Sequence, residues 1–262
     1  MDLGLRAKRA LVTAASRGLG LASARALAVE GARVALAARN PARLNAVAEE
    51  LAALGDTDVF SVELDLTQAA SIGTAVKTVL NRWSGIDILV INTGGTDAGP
   101  FLSLTREQWQ QAIAGTIMPS VDLLHAVLPS MKANGGGRVL FITTVGVKVT
   151  QPNMVLSNAT RLAMTGIAKT LAVELAADNI LVNSLCPGPI DTDRMIDLVR
   201  ATAEAKNISL DEAKAIWLDE VPLGRMGRAE DFGKLVAMLV SDAASFITGA
   251  ALAVDGGKSR AY

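Results

Sequence analysis

Residues Thr13-Ala14-Ala15-Ser16-Arg17-Gly18-Leu19-Gly20 follow a short apolar run and open a stretch of helical period. A glycine-rich turn in that setting lets backbone approach a phosphate, which the free N–H groups at the helix start can then bind. A glycine motif alone is weak evidence; the strand–turn–helix setting makes this one a candidate pyrophosphate site. The second apolar run ends at Ala38, followed by Arg39 and Asn40. A dinucleotide site that takes an unphosphorylated ribose places a carboxylate there. Ala38 supplies none. Arg39, with Arg17 in the glycine turn, offers guanidinium groups suited to a 2′-phosphate. NADP(H) is therefore the expected cofactor.

Other reactive side chains are few. The one tyrosine is Tyr262, the last residue. Cys186 is the only cysteine, which excludes an internal disulfide and a multi-cysteine zinc site. His125 is the only histidine, so no metal centre is expected. It also falls on a different helical stretch from Ser157, which argues against a serine–histidine triad. Lys148 lies on the loop after the fifth apolar run. Ligands of open parallel sheets bind outside the carboxyl ends of the strands, so Lys148 is expected to border the site as a candidate acid.

The elements that must hold these groups are legible in hydrophobic pattern. Apolar runs at residues 10–14, 34–38, 59–64, 86–92, 138–144, 180–186 and 250–254 read as strands buried on both faces. Between them, residues 19–30, 41–54, 69–83, 106–131, 157–177 and 229–240 have helical period. Thr105-x-x-Gln108 is a capping box at the start of the fourth helix. The alternation predicts an α/β fold: a single-domain, Rossmann-like, doubly wound parallel sheet of about seven strands spanning residues 1–262. Residues 192–222 are too long for a plain connection, and Ser209-x-x-Glu212 would cap a helix inside them. Met195, Ile196, Leu198, Val199, Ile208, Leu210, Ile216, Trp217 and Leu218 would make this an apolar lid over a substrate with an apolar part.

Composition excludes several classes. Half of the 262 residues are hydrophobic and 3% are aromatic, so the core is aliphatic. The net charge of −1 gives no general basic surface for nucleic acid or for a membrane. The first residues lack a signal-peptide core, and no run reaches membrane-spanning length. A cytoplasmic protein acting on a small molecule is expected.

The whole chain resembles the short-chain dehydrogenase/reductase family, including its 3-oxoacyl reductases. The glycine turn is similar to Thr-Gly-x-x-x-Gly-x-Gly, with Ala14 in place of the first glycine. Asp65-Leu66 sits where the family holds adenine. Asn92-Thr93-Gly94-Gly95 resembles Asn-Asn-Ala-Gly. Asn183, Pro187, Gly188 and Thr192, with Ile190 between them, resemble the segment that holds nicotinamide. Pro222-Leu223-Gly224-Arg225 and Val254-Asp255-Gly256-Gly257 match later landmarks. The resemblance implies that Thr13, Ala15, Ser16, Arg17, Gly18, Leu19, Gly20, Arg39, Asn40, Asp65, Leu66, Asn92, Gly94, Gly95, Arg161, Pro187, Gly188, Ile190 and Thr192 bind cofactor. It also implies a homotetramer.

At the chemical end the pattern breaks. The family uses a tyrosine as acid/base, a lysine four residues later, a serine thirteen residues earlier and an asparagine on the preceding helix. Counting back from Gly166 places Ser157 at the tyrosine, Arg161 at the lysine and Thr144 at the serine; Ala126-Val127-Leu128-Pro129 places Thr116 at the asparagine. A shift of one would substitute Leu156 and Thr160. Thr144 retains a hydroxyl, and Arg161 retains a cation that can hold ribose but cannot exchange protons. An alkyl hydroxyl at Ser157 is a poor acid. Two readings stay open. One is an atypical NADP-dependent oxidoreductase, with the proton from Lys148 or water. The other is a non-redox enzyme of lyase or isomerase type, or a nucleotide-binding pseudo-enzyme. Tyr262 could also reach a neighbouring subunit's pocket.

Overall fold

Seven parallel strands form one sheet, in the spatial order Val59–Glu63, Arg33–Ala38, Arg9–Thr13, Ile88–Ile91, Gly137–Ile142, Ile180–Pro187 and Ala251–Val254. The computed structural model describes residues 2–55 and 57–260, so Tyr262 lies outside the described residues. The strands are β1 (Arg9–Thr13), β2 (Arg33–Ala38), β3 (Val59–Glu63), β4 (Ile88–Ile91), β5 (Gly137–Ile142), β6 (Ile180–Pro187) and, near the end of the chain, β9 (Ala251–Val254). They match the seven expected runs, with β4 shorter than its run. The connecting helices are α1 (Gly18–Val29), α2 (Pro41–Gly55), α3 (Ala69–Trp83), α4 (Arg106–Ala133), α5 (Val155–Glu174) and α8 (Ala229–Leu239).

Both faces of the sheet are apolar, as the unbroken aliphatic runs require. Alternate residues of each strand serve opposite layers. Val12, Val34, Ile88 and Val90 pack with Leu27, Leu44, Phe232 and Val236 under α1, α2 and α8. Leu11, Ala35, Leu89 and Phe141 pack with Val79, Leu123, Val127 and Met164 under α3, α4 and α5. Small residues bring α1 and α8 together: a Cβ on Gly233 would meet the Ala22 carbonyl oxygen at 2.3 Å. By length and composition alone, α4 could cross a membrane. Its Leu123, Leu124, Val127 and Met131 are instead buried against the sheet layer. The expected capping box is present: Gln108 donates its N–H to Thr105 Oγ1, and Thr105 donates its N–H to Gln108 Oε1.

β1 pairs with β2 on one side, Ala10 opposite Val34, and with β4 on the other, Ala10 opposite Ile88. The winding reverses between β1 and β4, so their carboxyl ends diverge and leave a crevice. Thr13 fixes this point. Its hydroxyl donates to the Asn92 carbonyl at 2.7 Å and accepts from the Asn92 N–H at 2.9 Å.

The segment expected as a lid is a helix pair, α6 (Asp193–Lys206) and α7 (Leu210–Asp219). Asn207, in the left-handed region at φ 51°, ends α6, and the expected Ser209–Glu212 capping box opens α7. A two-residue pairing that the pattern did not announce, β7 (Ile190–Asp191) with β8 (Gly227–Arg228), ties the base of the pair together. Met195, Val199, Ala203 and Ala213 form a small core with Leu198, Ile208 and Trp217. Much of the apolar character of this segment is therefore spent on its own packing.

Candidate active site

Nearly all of the chemistry-bearing positions converge on one cleft of about 920 Å³ at the carboxyl ends of the strands. Its floor is the glycine turn. Gly18 is left-handed at φ 57°. A Cβ on Gly20 would stand 2.3 Å from the Ala14 carbonyl oxygen, so only glycine fits. Ala14, at the family's first glycine position, holds φ 48°, an expensive conformation for a residue with a side chain. Arg17 precedes α1 and makes no side-chain cap, and the first turn of α1 contains no acid. The N–H groups there have no side-chain acceptor, which is the state a bound phosphate would satisfy.

At one end of the cleft lie Ala38, Arg39, Asn40, Asp65 and Leu66. Asn40 Oδ1 accepts from the Arg43 N–H at 3.0 Å, and Arg43 Nε donates to the Ser16 carbonyl at 3.1 Å. Arg43 thus adds a second cation to this end that sequence reading missed. Its place four residues after Arg39, one turn into α2, was the available signal. Asp65 accepts from the Thr67 N–H and hydroxyl, which hold its carboxyl below the usual range. Arg17 does not join Arg39. Its guanidinium reaches across the cleft mouth to Asp193, 3.2 Å away on α6, which corrects the expectation that both arginines serve one phosphate.

At the other end the cleft is lined by Asn92, Gly94, Gly95, Thr144, Met154, Ser157, Arg161, Pro187, Gly188, Ile190, Thr192 and Arg194. Ser157 and Arg161, one helical turn apart on α5, both face it. Leu156 and Thr160 are buried away from it, and Thr160 Oγ1 donates to the Leu156 carbonyl. The exposure pattern therefore favours the first of the two possible registers. Thr144 Oγ1 accepts from the Gly146 N–H at 3.2 Å and starts a short 3-10 turn. Gly99 and Met154 form a β-bridge that sets the approach to α5.

Arg161 is 6% exposed. It donates to the Gly94 carbonyl at 2.8 Å and to the Ile142 carbonyl at 3.3 Å. No carboxylate pairs with it among the described residues. Burial, with a further contribution from the Arg194 charge, pushes its pKa down to about 10. Arg194, another residue the sequence did not single out, donates to the Thr96 carbonyl at 3.1 Å. The Thr93 and Thr96 hydroxyls are buried at this end without a hydrogen-bond partner.

Five expected residues lie elsewhere. Gly20 is buried beneath the turn. Thr13 and Ala15 are buried supports of the turn. Thr116 is buried, and its hydroxyl donates to the Ala112 carbonyl of its own helix, so it is not placed as an asparagine substitute. Pro119 lacks the N–H that would bond the Gly115 carbonyl, and Gly115 lines the cleft, so α4 offers backbone there instead. Lys148 is half-buried at the end of the 3-10 turn and does not line the cleft. It stands near enough to Cys186 for its charge to act on that thiol, whose pKa burial pushes up.

These residues fit a dinucleotide running from Arg39 to Thr192, with two hydroxyls and a buried cation at its far end. Comparison with known proteins agrees. A family model described as Enoyl-(Acyl carrier protein) reductase matches residues 13–259. The chain is 33% identical over 257 residues to the 3-oxoacyl-(acyl-carrier-protein) reductase FabG of Aquifex aeolicus, covering 98% of this chain and 99% of that protein. It is 34% identical over 255 residues to Dehydrogenase/reductase SDR family member 4 of Sus scrofa, covering 97% and 88%. Among solved structures, L-sorbose reductase of Gluconobacter frateurii, complexed with NADPH and L-sorbose, superposes with a TM-score of 0.94 at 30% identity over 100% of both chains.

Proposed function

The chain belongs to the short-chain dehydrogenase/reductase family, and from that premise we propose that it is an NADP(H)-dependent oxidoreductase with a non-standard active site, reducing a carbonyl or oxidising the matching alcohol. The observation that carries this reading is that one cleft joins the uncapped start of α1 to Thr144, Ser157 and Arg161.

NADP(H), when bound, supplies or accepts the hydride. The protein binds, orients and excludes. Gly18, Gly20 and the first turn of α1 receive the pyrophosphate. Arg39, with Arg43 beside it, receives the 2′-phosphate. Asp65 and Leu66 flank the adenine. Asn92, Gly94, Gly95, Pro187, Gly188, Ile190 and Thr192 hold the nicotinamide half, and Arg161 the ribose. The Thr144 and Ser157 hydroxyls orient the substrate oxygen. Water is the proton source, because Lys148 stands outside the cleft and an alkyl hydroxyl is too weak an acid. Losing a positioned general acid costs about 10²–10⁴ in rate, so turnover is slow rather than absent. Met195 and Leu198 give the substrate an apolar wall.

The same reading makes the protein a cytoplasmic homotetramer. Ile113 and Met118 on α4 and Leu162 and Val173 on α5 are exposed apolar residues on two packed helices, suited to a subunit contact. Light scattering returning the monomer mass at micromolar concentration would count against it.

The second reading, a non-redox or purely nucleotide-binding protein, draws on the absence of a tyrosine from the cleft lining among the described residues. A screen of carbonyls and alcohols following NADPH absorbance separates the two, with Ser157→Tyr/Arg161→Lys run beside the native chain. Native turnover supports the oxidoreductase. Tight NADPH binding with activity only in the double variant supports the alternative.

A further inference from the structure

Arg161 and Arg194 come from different elements, α5 and α6, yet they stand on consecutive residues of the loop after β4. Arg161 donates to the Gly94 carbonyl. The Arg194 guanidinium lies against Gly95 so closely that a Cβ there would be 2.9 Å from its Cζ. Both line the same cleft as Thr144 and Ser157. Two like charges repel in this arrangement unless an anion comes between them.

The protein does not provide that anion among the described residues. Asp193 is paired with Arg17. Asp197 lines the cleft but forms no ion pair. Asp65 lies at the opposite end and is bonded to Thr67. Arg161 has five N–H donors and spends two on the Gly94 and Ile142 carbonyls and a third on the Met164 sulfur. Donors remain for a ribose hydroxyl and for a carboxylate. Ser157, small where the family resemblance implies a phenol, leaves room beside them.

We propose that the substrate supplies the missing anion: a carboxylate close to its reacting carbonyl, held by Arg161 and Arg194 while the carbonyl oxygen faces Thr144 and Ser157. The site is thus specific for a short oxo acid, or for the hydroxy acid in the reverse direction. Ser157 and Arg161 are one helical turn apart, about 6 Å along the axis, which suits a carboxylate one or two carbons from the carbonyl. This inference rests on the reductase reading of the cleft. Its rival is that the cofactor's own pyrophosphate neutralises the arginines, since Thr192 lies against Gly18 and Asp193 pairs with Arg17; the glycine turn and the start of α1 already offer donors for that group.

The test titrates the protein, saturated with NADP+, with pyruvate and acetoacetate and with their neutral methyl esters, by calorimetry. A charged partner lost from such a site changes affinity by about tenfold or more. The acids should bind about tenfold or more tighter than the esters. In Arg194→Gln the preference should vanish while NADPH affinity changes less than about threefold. Arg194→Lys, which keeps the charge, should keep part of the preference, and it serves if Arg194→Gln does not fold. Equal binding of acid and ester would overturn the proposal. So would a preference that survives Arg194→Gln, or loss of NADPH affinity in place of acid affinity, which would assign the anion to the cofactor. If NADPH does not bind at all, the dinucleotide reading fails, and the same acid and ester titrations on the protein alone decide this one.

Discussion

The Arg161 guanidinium donates to the Gly94 carbonyl across 2.8 Å, anchoring a buried cation of α5 on the loop that follows β4. The cation is 6% exposed and pairs with no carboxylate among the described residues. Its surroundings disfavour the charged form, pushing its pKa down to about 10. A base with a folded pKa below its unfolded one costs stability while charged, so the penalty is present throughout the neutral range and is relieved only as pH rises through about 10. Functional sites carry strain of this kind.

Arg161→Met should therefore raise the stability of the ligand-free protein. Replacing buried ionic groups by apolar ones of similar volume is often neutral or gains about 1–4 kcal/mol, up to several degrees in Tm for a chain of this size. Differential scanning calorimetry reads it. A lower Tm would show that the bonds to Gly94 and Ile142 outweigh the desolvation of the charge.

Ala14 offers a second stability test. It holds φ 48° beside the tightest contact of the turn. Ala14→Gly should stabilise by about 1 kcal/mol, since the left-handed region costs a side-chain-bearing residue about that much. Gly20→Ala should do the reverse and abolish dinucleotide binding, because its Cβ would stand 2.3 Å from the Ala14 carbonyl oxygen. Denaturant titration and NADPH titration of both variants check the pair.

Cofactor choice is tested at Arg39. Arg39→Asp should lower NADPH affinity about 10–100-fold and raise NADH affinity, by removing a charge-assisted contact and supplying an acceptor for the ribose hydroxyls. Equal binding of NADPH and NADH by the native chain would contradict the assignment.

The fold's acid sensitivity should centre on Arg9 and Asp87, joined at 2.8 and 2.6 Å between β1 and the start of β4. Burial pushes the Asp87 carboxyl up, but the Arg9 side-chain and backbone donors outweigh it and hold it below the ordinary range. Such a carboxylate contributes stability above its unfolded pKa of about 3.9, and that contribution is lost as pH falls through the lower folded value. Asp87→Asn should cost about 1–3 kcal/mol at neutral pH and much less under strongly acidic conditions. Urea unfolding across that range measures the difference.

The sequence carried the sheet, the six connecting helices and the nucleotide turn because each is written in local pattern: aliphatic runs buried on both faces, glycines where a Cβ cannot fit, and hydroxyls at helix starts. It also located Ser157 and Arg161 through landmarks on the same helix. Side-chain direction was not legible. Nothing in the spacing says that Thr116 bonds back to Ala112, that Lys148 turns towards Cys186, or that Arg17 crosses to Asp193. Those outcomes depend on long-range packing. Arg194 escaped notice because its neighbours in space, Gly95 and Thr96, are about a hundred residues away in the chain.

The central claim, hydride transfer between NADP(H) and a carbonyl, is tested most directly by supplying NADPH that carries deuterium on the nicotinamide carbon. A panel of oxo acids, ketones and their esters is then searched by mass spectrometry for product containing the label. The account predicts slow, single-deuterium incorporation into a hydroxyl-bearing product, reduced further by Thr144→Val and Ser157→Ala. NADPH that binds tightly yet keeps its deuterium with every carbonyl offered would contradict it.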